Sequence, residues 1–260
     1  MAFNQSAKDD QMLLAQVEDR FQQANDNYMM TSTHFLDLRQ RTLVANLWRE
    51  IGRGQKEVSL EFFGGYDEAE RVVAFFVPSY GSLDDARQEL CVIRAKAPTH
   101  GRQLTHRDYL GSLTGLGLKR EVIGDILVDG NQADIIVLRE IADFLLLNYD
   151  KAGRTTLSLE VVDLDGLHVP EVKTQMVKDT VASLRLDNLV ASAFNLSRAK
   201  AAEAIKSGIV FVNSMQVEKV DAPVNEGDKL VLRGKGKAYL RVVGNRTRKD
   251  RIFIEIEKYL

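Results

Sequence analysis

Apolar residues recur at helical spacing over the first fifty positions and then concentrate in short runs. Residues 7–27 carry a narrow apolar stripe on a polar background, whereas 57–63 and 70–77 are dense in apolar and β-branched residues. The first pattern is typical of a surface helix, and the second of short strands bounded by turns. The pattern predicts helices at 7–27 and 37–51, a hairpin of strands at 57–63 and 70–77, and a boundary at the turn-rich segment 78–82. Residues 1–80 are therefore expected to form a small helical and hairpin domain.

Residues 81–168 alternate between strand patterns and helix patterns. In chain order we expect a strand at 89–97, a helix at 105–116, strands at 124–129 and 133–138, a helix at 139–149 and a strand at 154–163. This β-α-β-β-α-β order is the ferredoxin-like arrangement, which RNA-recognition domains also use. Those domains stack bases on aromatic residues of a central strand, but 133–138 contains no aromatic residue. Any RNA contact of this domain is therefore predicted to use another surface.

Glycines interrupt the first predicted helix of this middle domain. Gly111 and Gly115 are four residues apart, hence on one helix face, and Gly117 follows them. Each glycine in a helix interior costs roughly 1 kcal/mol relative to alanine, so their presence needs a reason. One interpretation is tight packing of the helix on the sheet, and the other is a flat surface for an RNA backbone or a protein partner. Four residues near these glycines form a candidate second RNA-binding surface: His106, Arg107, Lys119 and Arg120.

The segment from Arg185 to Asn213 contains the most informative pattern of the chain. Its apolar residues follow the i, i+3, i+4, i+7, i+8 spacing of one helix face: Leu186, Leu189, Val190, Ala193 and Phe194. Ser197 then stands where an N-cap belongs, a second helix is predicted through Ile205, and Gly208 suits the left-handed residue that ends it. A strand at 209–212 follows.

Two cations occupy the first turn of that second helix. Arg198 and Lys200 oppose the helix dipole there, at a cost of roughly 0.3–1 kcal/mol each, so helix stability alone does not favour them. A bound anion would reverse the sign, because the N–H groups of a helix start together with two flexible cations form a phosphate site. The alternative interpretation is a solvated charged face without a ligand.

The spacing of residues in this segment resembles a known RNA-binding module. The matching residues are Arg185-Leu186-Asp187, Ser197-Arg198-Ala199-Lys200-Ala201, Ile205, Gly208, Val210, Val212-Asn213 and Gly227-Asp228 before Leu230-Val231-Leu232. They are similar to the alpha-L RNA-binding domain, first described in ribosomal protein S-four and shared by tyrosyl-tRNA synthetases, pseudouridine synthases and a ribosome-recycling heat-shock protein. That domain usually has glycine in the turn after Asn213, whereas this chain has Ser214, so the hairpin turn is expected to differ.

The glycine-containing stretch LTHRDYLGSLTGLGLKREVIGDILV, residues 104–128, resembles the signature of the YlmH family. These bacterial proteins have a small N-terminal domain, an RNA-recognition-like middle domain and a C-terminal alpha-L domain, and the resemblance spans about residues 20–260. It implies binding to large ribosomal subunits that carry a stalled peptidyl-tRNA, in ribosome-associated quality control and rescue. The genes commonly lie near cell-division genes, which implies a second association with division.

Charge is divided unevenly along the chain. Residues 183–260 contain 15 Lys and Arg against 9 Asp and Glu, a net charge of +6, whereas residues 1–182 contain 20 against 28, a net charge of −8. The C-terminal part is therefore the expected polyanion-binding part, although the whole chain has a net charge of −2. The single cysteine, Cys91, excludes a disulfide framework. No secretion signal or membrane-spanning apolar run is recognised, so we expect a cytoplasmic protein.

Motifs of several enzyme classes are incomplete. His106-Arg107-Asp108 imitates a kinase catalytic loop without the required asparagine, and Gly115-Leu116-Gly117 lacks the third glycine and the preceding strand of a dinucleotide fingerprint. The four histidines are scattered, and one cysteine cannot complete a zinc site. Pseudouridine synthases pair an alpha-L domain with a catalytic Asp in an Arg-Leu-Asp motif, but the only such motif here lies in the alpha-L helix itself. We therefore expect Asp187 to be structural, and no enzyme activity, metal or cofactor.

The sequence as a whole predicts an α+β protein of three domains, at 1–80, 81–168 and 183–260, with 169–182 as a linker or connecting strand. We expect it to bind rRNA or tRNA on the large ribosomal subunit without catalysing a reaction. The predicted RNA-binding residues are Arg185, Arg198, Lys200, Lys206, Asn213, Lys235, Lys237 and Arg241. The last three flank glycines and supply charge toward the RNA backbone. Two alternatives remain, an RNA-modifying enzyme similar to pseudouridine synthases and an adaptor for a quality-control or cell-division protein.

Overall fold

Two units of mixed helix and strand make up the structure, a computed structural model that describes residues 2–171, 173–213 and 215–259, with side chains from residue 8 onward. The first unit is Met1–Pro170 and the second is Glu171–Leu260. Helices contain 33% of the residues and strands 35%, which confirms the predicted α+β class. The prediction about Ser214 lies outside the described residues.

The first unit begins with two helices and a three-stranded sheet and continues into a four-stranded sheet. Its elements are α1 (Ala2–Asn27), β1 (Thr31–Leu36), α2 (Leu38–Ile51), β2 (Val58–Phe63), β3 (Val72–Pro78), α3 (Leu83–Arg87), β4 (Leu90–Lys96), α4 (His106–Gly115), β5 (Ile123–Asp129), β6 (Gln132–Leu138), α5 (Ala142–Asn148), β7 (Lys151–Ala152), β8 (Thr155–Thr156) and β9 (Ser158–Val162). Asp37 caps α2 through a reciprocal capping box with Gln40, which fixes the start of that helix.

The two sheets of the first unit stack on each other. The first has the order β1-β3-β2, and the second has the antiparallel order β5-β6-β4-β9, which is the ferredoxin-like order. Strand β3 is buried along its whole length because its alternate residues face different layers. Phe75 packs toward Val92 and Ile136 of the second sheet, whereas Phe76 packs toward α1 and α2. Helices α4 and α5 cover the far side of the second sheet.

A buried ion pair crosses the second sheet. Asp134 on β6 is 1% exposed and accepts hydrogen bonds from Nε and Nη2 of Arg94 on β4, both at 2.8 Å. The backbone N–H of His168 donates a third bond to the same carboxylate, also at 2.8 Å. The pair is bidentate and its carboxylate is shielded from water, so it couples the two central strands strongly.

The division of the first unit at residue 80 stays a prediction. The predicted boundary segment lies between β3 and α3, but the residues on its two sides share one hydrophobic cluster that includes Phe35, Phe75, Leu90 and Ile136. The pattern missed β1, because its sequence TSTHFL offers only two large apolar residues, and it missed the five-residue α3. Strand β1 is fixed instead by pairing with β3 and by a hydrogen bond from the N–H of Ala74 to the hydroxyl of buried Thr33.

The second unit is a six-stranded sheet covered on one face by two helices. Its elements are β10 (Thr174–Val181), α6 (Leu186–Ala193), α7 (Arg198–Lys206), β11 (Val210–Val212), β12 (Met215–Gln216), β13 (Lys229–Leu232), β14 (Gly236–Arg246) and β15 (Ile252–Tyr259). The strand order is β10-β15-β14-β13-β11-β12. The segment 169–182, predicted as a linker or connecting strand, contains β10, which pairs with β15 over its full length. The unit therefore includes residues before the predicted boundary at 183.

Candidate nucleic-acid interface

The predicted start and end of α7 are present in the structure. The side chain of Ser197 accepts a hydrogen bond from the N–H of Lys200 at 3.3 Å, as expected of an N-cap. Gly208 follows the helix with φ +71, the left-handed conformation that glycine adopts without strain. The helix carries no acidic residue in its first turn, so Arg198 and Lys200 face the positive end of its dipole without an acid on that turn.

Asp187 connects the two arginines of this region. Its side chain is 5% exposed, yet it accepts a hydrogen bond from Arg185 Nε at 3.1 Å and from Arg198 Nη2 at 2.7 Å. Burial opposes its ionisation, but the hydrogen bonds and charges of Arg198 and Arg185 outweigh burial and hold the pKa of Asp187 below its usual value. The carboxylate is therefore ionised at neutral pH, and it holds two guanidinium groups beside each other.

Both arginines stay accessible while they bind Asp187. The side chain of Arg185 is 44% exposed and that of Arg198 is 63% exposed. A guanidinium has five N–H donors, so each arginine keeps donors for a second acceptor. Lys200 is exposed in the same turn as Arg198, and Lys206 is exposed at the other end of α7. The geometry is suited to a multiply charged anion at the start of α7, with Lys206 one helix length away.

Asn213 has a different local role from the one predicted. It is a left-handed residue, φ +49, at the end of β11. Its side-chain amide donates to Asp228 at 2.7 Å, and its side-chain carbonyl accepts from the N–H of Lys229 at 2.9 Å. Both polar groups of the side chain thus fasten the turn that follows β11 to the start of β13. Direct RNA contact by Asn213 stays a prediction that this geometry does not support.

The structure separates the remaining predicted residues from the α7 site. Lys235 is exposed in the turn between β13 and β14. Lys237 and Arg241 lie on β14, where the alternate residues Ala238 and Leu240 point into the core below α6 and α7. Because side chains alternate along a strand, Lys237 lies on the opposite side of the sheet from the two helices, and Arg241 is held there by Glu257. The predicted cations therefore do not form one surface: Arg198 and Lys200 lie at the start of α7, whereas Lys237 and Arg241 lie on the other side of the sheet.

The candidate second surface in the first unit is also divided. Arg107 and Lys119 are exposed, as is His106 at the start of α4. Arg120 instead donates hydrogen bonds to the carbonyls of Ile123 and Gly124, both at 2.9 Å. Burial, and then the charge of Arg71, lowers the pKa of Arg120 to about 10. Its guanidinium fastens the start of β5, so a direct RNA contact by Arg120 has no support from this geometry.

The helix glycines are not packed against the sheet. An added Cβ at Gly111, Gly115 or Gly117 would meet nothing within 4 Å, and all three residues are exposed. The packing interpretation is therefore wrong, and a flat exposed strip on α4 remains. In addition, the sheet face on which RNA-recognition domains stack bases is covered here, because Val92 and Ile136 on that face pack against the first sheet. Any RNA contact of the first unit must use another surface.

Comparison with known proteins agrees with both resemblances. Residues 84–166 match the family model described as "Putative RNA-binding domain in YlmH", and residues 184–230 match the S4 domain. The "Ribosome-associated protein quality control protein P2" of Bacillus subtilis strain 168 is 35% identical over 251 residues, which cover 96% of each chain. The chain belongs to the YlmH family. A solved structure titled "Cell division protein ylmH from Streptococcus pneumoniae" is 24% identical, with a TM-score of 0.49, and the match covers 59% of this chain and 91% of that one.

The position of the S4 match in this YlmH-family chain agrees with the geometry described above. It begins one residue before Arg185 and includes Asp187, all of α7 and the turn at Asn213. Among the described residues, no three His, Cys, Asp or Glu side chains are placed to hold a metal ion. Among the described helices, none combines the length and the apolar composition needed to cross a bilayer.

Proposed function

We propose that this YlmH-family protein binds rRNA or tRNA on the ribosome through its second unit, without catalysing a reaction. The observation that carries the proposal is the site around Asp187. A buried carboxylate fixes Arg185 and Arg198 beside a helix start whose first turn contains Lys200 and no acid. Backbone N–H groups and cations in that arrangement match the phosphates of folded RNA.

The named relative supports the ribosome as the place of action. A protein of Bacillus subtilis that matches this chain over nearly its whole length is named for ribosome-associated quality control. By extension, the target is the large ribosomal subunit that carries a stalled peptidyl-tRNA, and the role is quality control and rescue in the cytoplasm. The charge division along the chain agrees with such a target, because the S4-containing part is basic and the rest is acidic.

The site around Asp187 can be tested by removing its two most exposed cations together. The variant Arg198→Ala with Lys200→Ala should lose cosedimentation with large ribosomal subunits at moderate salt, because two phosphate contacts at the helix start are removed. A matched control is Arg53→Ala with Lys56→Ala, which removes the same charge from an exposed turn of the first unit. The control should cosediment like the wild type.

The outcome that contradicts the proposal is equally specific. Unchanged cosedimentation of the double variant, with circular dichroism showing an intact fold, would exclude the α7 start as the ribosome contact. Equal losses in the double variant and in the control would mean that binding follows net charge and not this site. Analysis of rRNA and tRNA for a missing modification in a deletion strain separates a binding protein from the RNA-modifying enzyme, since a binding protein leaves every nucleotide unchanged.

An adaptor role is the second candidate, and one observation favours it. Helix α5 exposes three large apolar side chains, with Leu147 at 83%, Leu146 at 43% and Phe144 at 41%. Contiguous exposed apolar residues are typical of protein-binding surfaces. Affinity capture from cells, with the wild type and with Leu147→Asp as baits, tests this role. An adaptor should capture a partner protein as the wild type and lose that partner as the variant.

A further inference from the structure

A short basic turn joins β14 to β15, beyond the residues of the S4 match. Arg246 of β14 is paired with Ile252 of β15, so residues 247–251 form the connection, here called the tip. The sequence of the tip is TRKDR, and all five residues are exposed. The S4 match ends at residue 230, so the tip is an addition to the matched module.

Backbone hydrogen bonds give the tip a defined shape. The N–H of Thr247 donates to the carbonyl of Arg251 at 2.7 Å, and the N–H of Asp250 donates to the carbonyl of Thr247 at 2.9 Å. Asp250 has φ +56, a left-handed conformation that aspartate tolerates. Nη1 of Arg246 donates to the side chain of Asp250 at 2.8 Å and to its carbonyl at 3.1 Å. The tip is therefore an ordered turn.

A second arginine fastens the tip to β10. Nε of Arg251 donates to the hydroxyl of Thr180 at 2.9 Å, and Nη2 of Arg251 donates to the carbonyl of Thr180. Both acceptors are uncharged. The carboxylate of the adjacent Asp179 accepts from the hydroxyl of Ser192 at 2.8 Å and from the N–H of Thr180 at 2.6 Å. The contact with Thr180 thus positions Arg251 without neutralising its charge.

Arg248 and Lys249 occupy the two central positions of the turn. Neither has a hydrogen-bond or ion-pair partner among the described residues. Residues 246–251 contain four cations and one acid, a net charge of +3. Turn chemistry favours Gly, Pro, Asn or Asp at such positions, and adjacent like charges repel each other. A local preference that is broken without a compensating contact indicates a functional role, here the binding of a multiply charged anion.

The tip lies near the site around Asp187. Arg251 binds Thr180 close to the end of β10, and Arg185 follows Thr180 by five residues. Five residues span at most about 18 Å when fully extended, so the backbone of Arg185 lies within that distance of Thr180. The arginines at Asp187 and the cations of the tip are therefore close enough to contact one RNA element.

We propose that the tip binds the sugar-phosphate backbone of a double-helical RNA segment through Arg248 and Lys249. Phosphates are closely spaced along RNA, and exposed arginine and lysine side chains are their usual partners. The tip contains no aromatic residue, so it offers no ring for stacking an unpaired base. Double-helical RNA is recognised instead by its shape and by contacts to phosphates and 2′-hydroxyls, which an exposed, ordered turn can reach.

This inference deepens the proposed function and rests on the second unit being the RNA-binding unit. The start of α7 and the tip contact one RNA element at two points, which fixes the orientation of the protein on that element. Because the tip is ordered before binding, little conformational entropy is lost when it binds. Backbone contacts carry no sequence information, so the tip contributes affinity and orientation without base specificity.

Anisotropy of a fluorescein-labelled RNA duplex of sixteen base pairs, titrated with the full-length chain at several salt concentrations, tests the tip. Arg248→Ala with Lys249→Ala removes two phosphate contacts. The slope of log affinity against log salt should therefore fall by about 2, and the affinity at low salt by at least about tenfold. Arg248→Lys with Lys249→Arg conserves the charge and should bind like the wild type. Arg53→Ala with Lys56→Ala, the matched control in the first unit, should keep the wild-type slope.

Three results would overturn the inference. The first is an unchanged slope and affinity of the alanine variant of the tip, with circular dichroism showing an intact fold. The second is an equal loss in the control variant, because binding would then follow net charge. The third is a wild type that binds a single-stranded RNA of equal length as tightly as the duplex, or that does not bind the duplex.

Cosedimentation with large ribosomal subunits separates this inference from the proposed function. If Arg198→Ala with Lys200→Ala loses the subunits while the tip variant binds the duplex like the wild type, the proposed function stands and the inference fails. If Arg198→Ala with Lys200→Ala keeps the subunits while the tip variant loses duplex affinity, the proposed function fails and the inference stands.

Discussion

Asp187→Asn should loosen α6 and α7 locally, because it removes the charge that holds Arg185 and Arg198. The carboxylate is buried and makes two charge-assisted hydrogen bonds, each of which contributes about 1.5–3 kcal/mol in a shielded setting. Both arginines are more than one third exposed, so solvent screening and rehydration reduce that contribution. Asparagine also keeps one acceptor. We therefore expect the free energy of local opening to fall by about 1–2 kcal/mol.

Hydrogen–deuterium exchange with mass spectrometry measures this change peptide by peptide. A loss of about 1–2 kcal/mol corresponds to exchange roughly 5–30 times faster in peptides that cover α6 and α7. Peptides of the first unit should not change. Asp250→Asn is the matched control. The carboxylate of Asp250 is 83% exposed and pairs with Arg246, and exposed ion pairs contribute little to stability.

The pH dependence gives a second check on the same variant. The folded pKa of Asp187 lies below its unfolded value, so its contribution is present above the unfolded pKa and is lost as the pH falls through the folded pKa. The difference between wild type and variant should therefore be full at pH 7 and shrink only once the pH falls below 3.8, the ordinary pKa of an aspartate. Equal exchange of the two proteins at pH 7, or an undiminished difference at low pH, would refute the role assigned to this carboxylate.

Three further substitutions test other parts of the structure. Arg94→Ala leaves the buried carboxylate of Asp134 without its bidentate partner, so it should destabilise the first unit by about 3 kcal/mol. Urea unfolding followed by the fluorescence of the single tryptophan measures this loss. A loss below about 1 kcal/mol would contradict the assignment of a strong pair. Gly208→Ala places a residue with a Cβ in the left-handed backbone conformation, which should lower the free energy of local opening by about 1 kcal/mol. Faster hydrogen–deuterium exchange at the end of α7 would show this loss. Gly111→Ala with Gly115→Ala should raise the melting temperature, because the added methyl groups meet open space and alanine favours the helix by about 1 kcal/mol at each position. A lower melting temperature would show that these glycines are needed for packing.

Local sequence signals predicted the local structure well. Ser197 precedes α7 and Gly208 follows it, as their capping preferences indicate. The order of elements in residues 90–162 correctly predicted the ferredoxin-like order of strands in the second sheet. Strand β1 escaped prediction because a tertiary hydrogen bond to Thr33 and pairing with β3 stabilise it, and neither leaves a periodic pattern. Helix α3 is too short for any periodicity.

Contacts between distant residues were harder to predict. Asp187 was expected to be structural, which agrees with its burial, but its bond to Arg198 depends on how α6 packs against α7. The spacing of eleven residues between them carries no regular signal. Likewise, the rings of Tyr239 and Tyr259 become neighbours only through the register of β14 and β15. The structure does not support the predicted RNA contacts of Asn213 and Arg120. The side chain of Asn213 binds Asp228 and Lys229, which are distant in sequence, and the guanidinium of Arg120 binds the nearby carbonyls of Ile123 and Gly124.

The central claim is that the second unit binds ribosomal RNA or tRNA through the start of α7. Ultraviolet crosslinking in cells, followed by RNA sequencing, tests this claim most directly when the wild type is compared with Arg198→Ala and Lys200→Ala together. The account predicts wild-type crosslinks concentrated on large-subunit rRNA or on tRNA, and their loss in the double variant at equal protein abundance. Crosslinks spread over messenger RNA, or an unchanged crosslink map in the double variant, would contradict it.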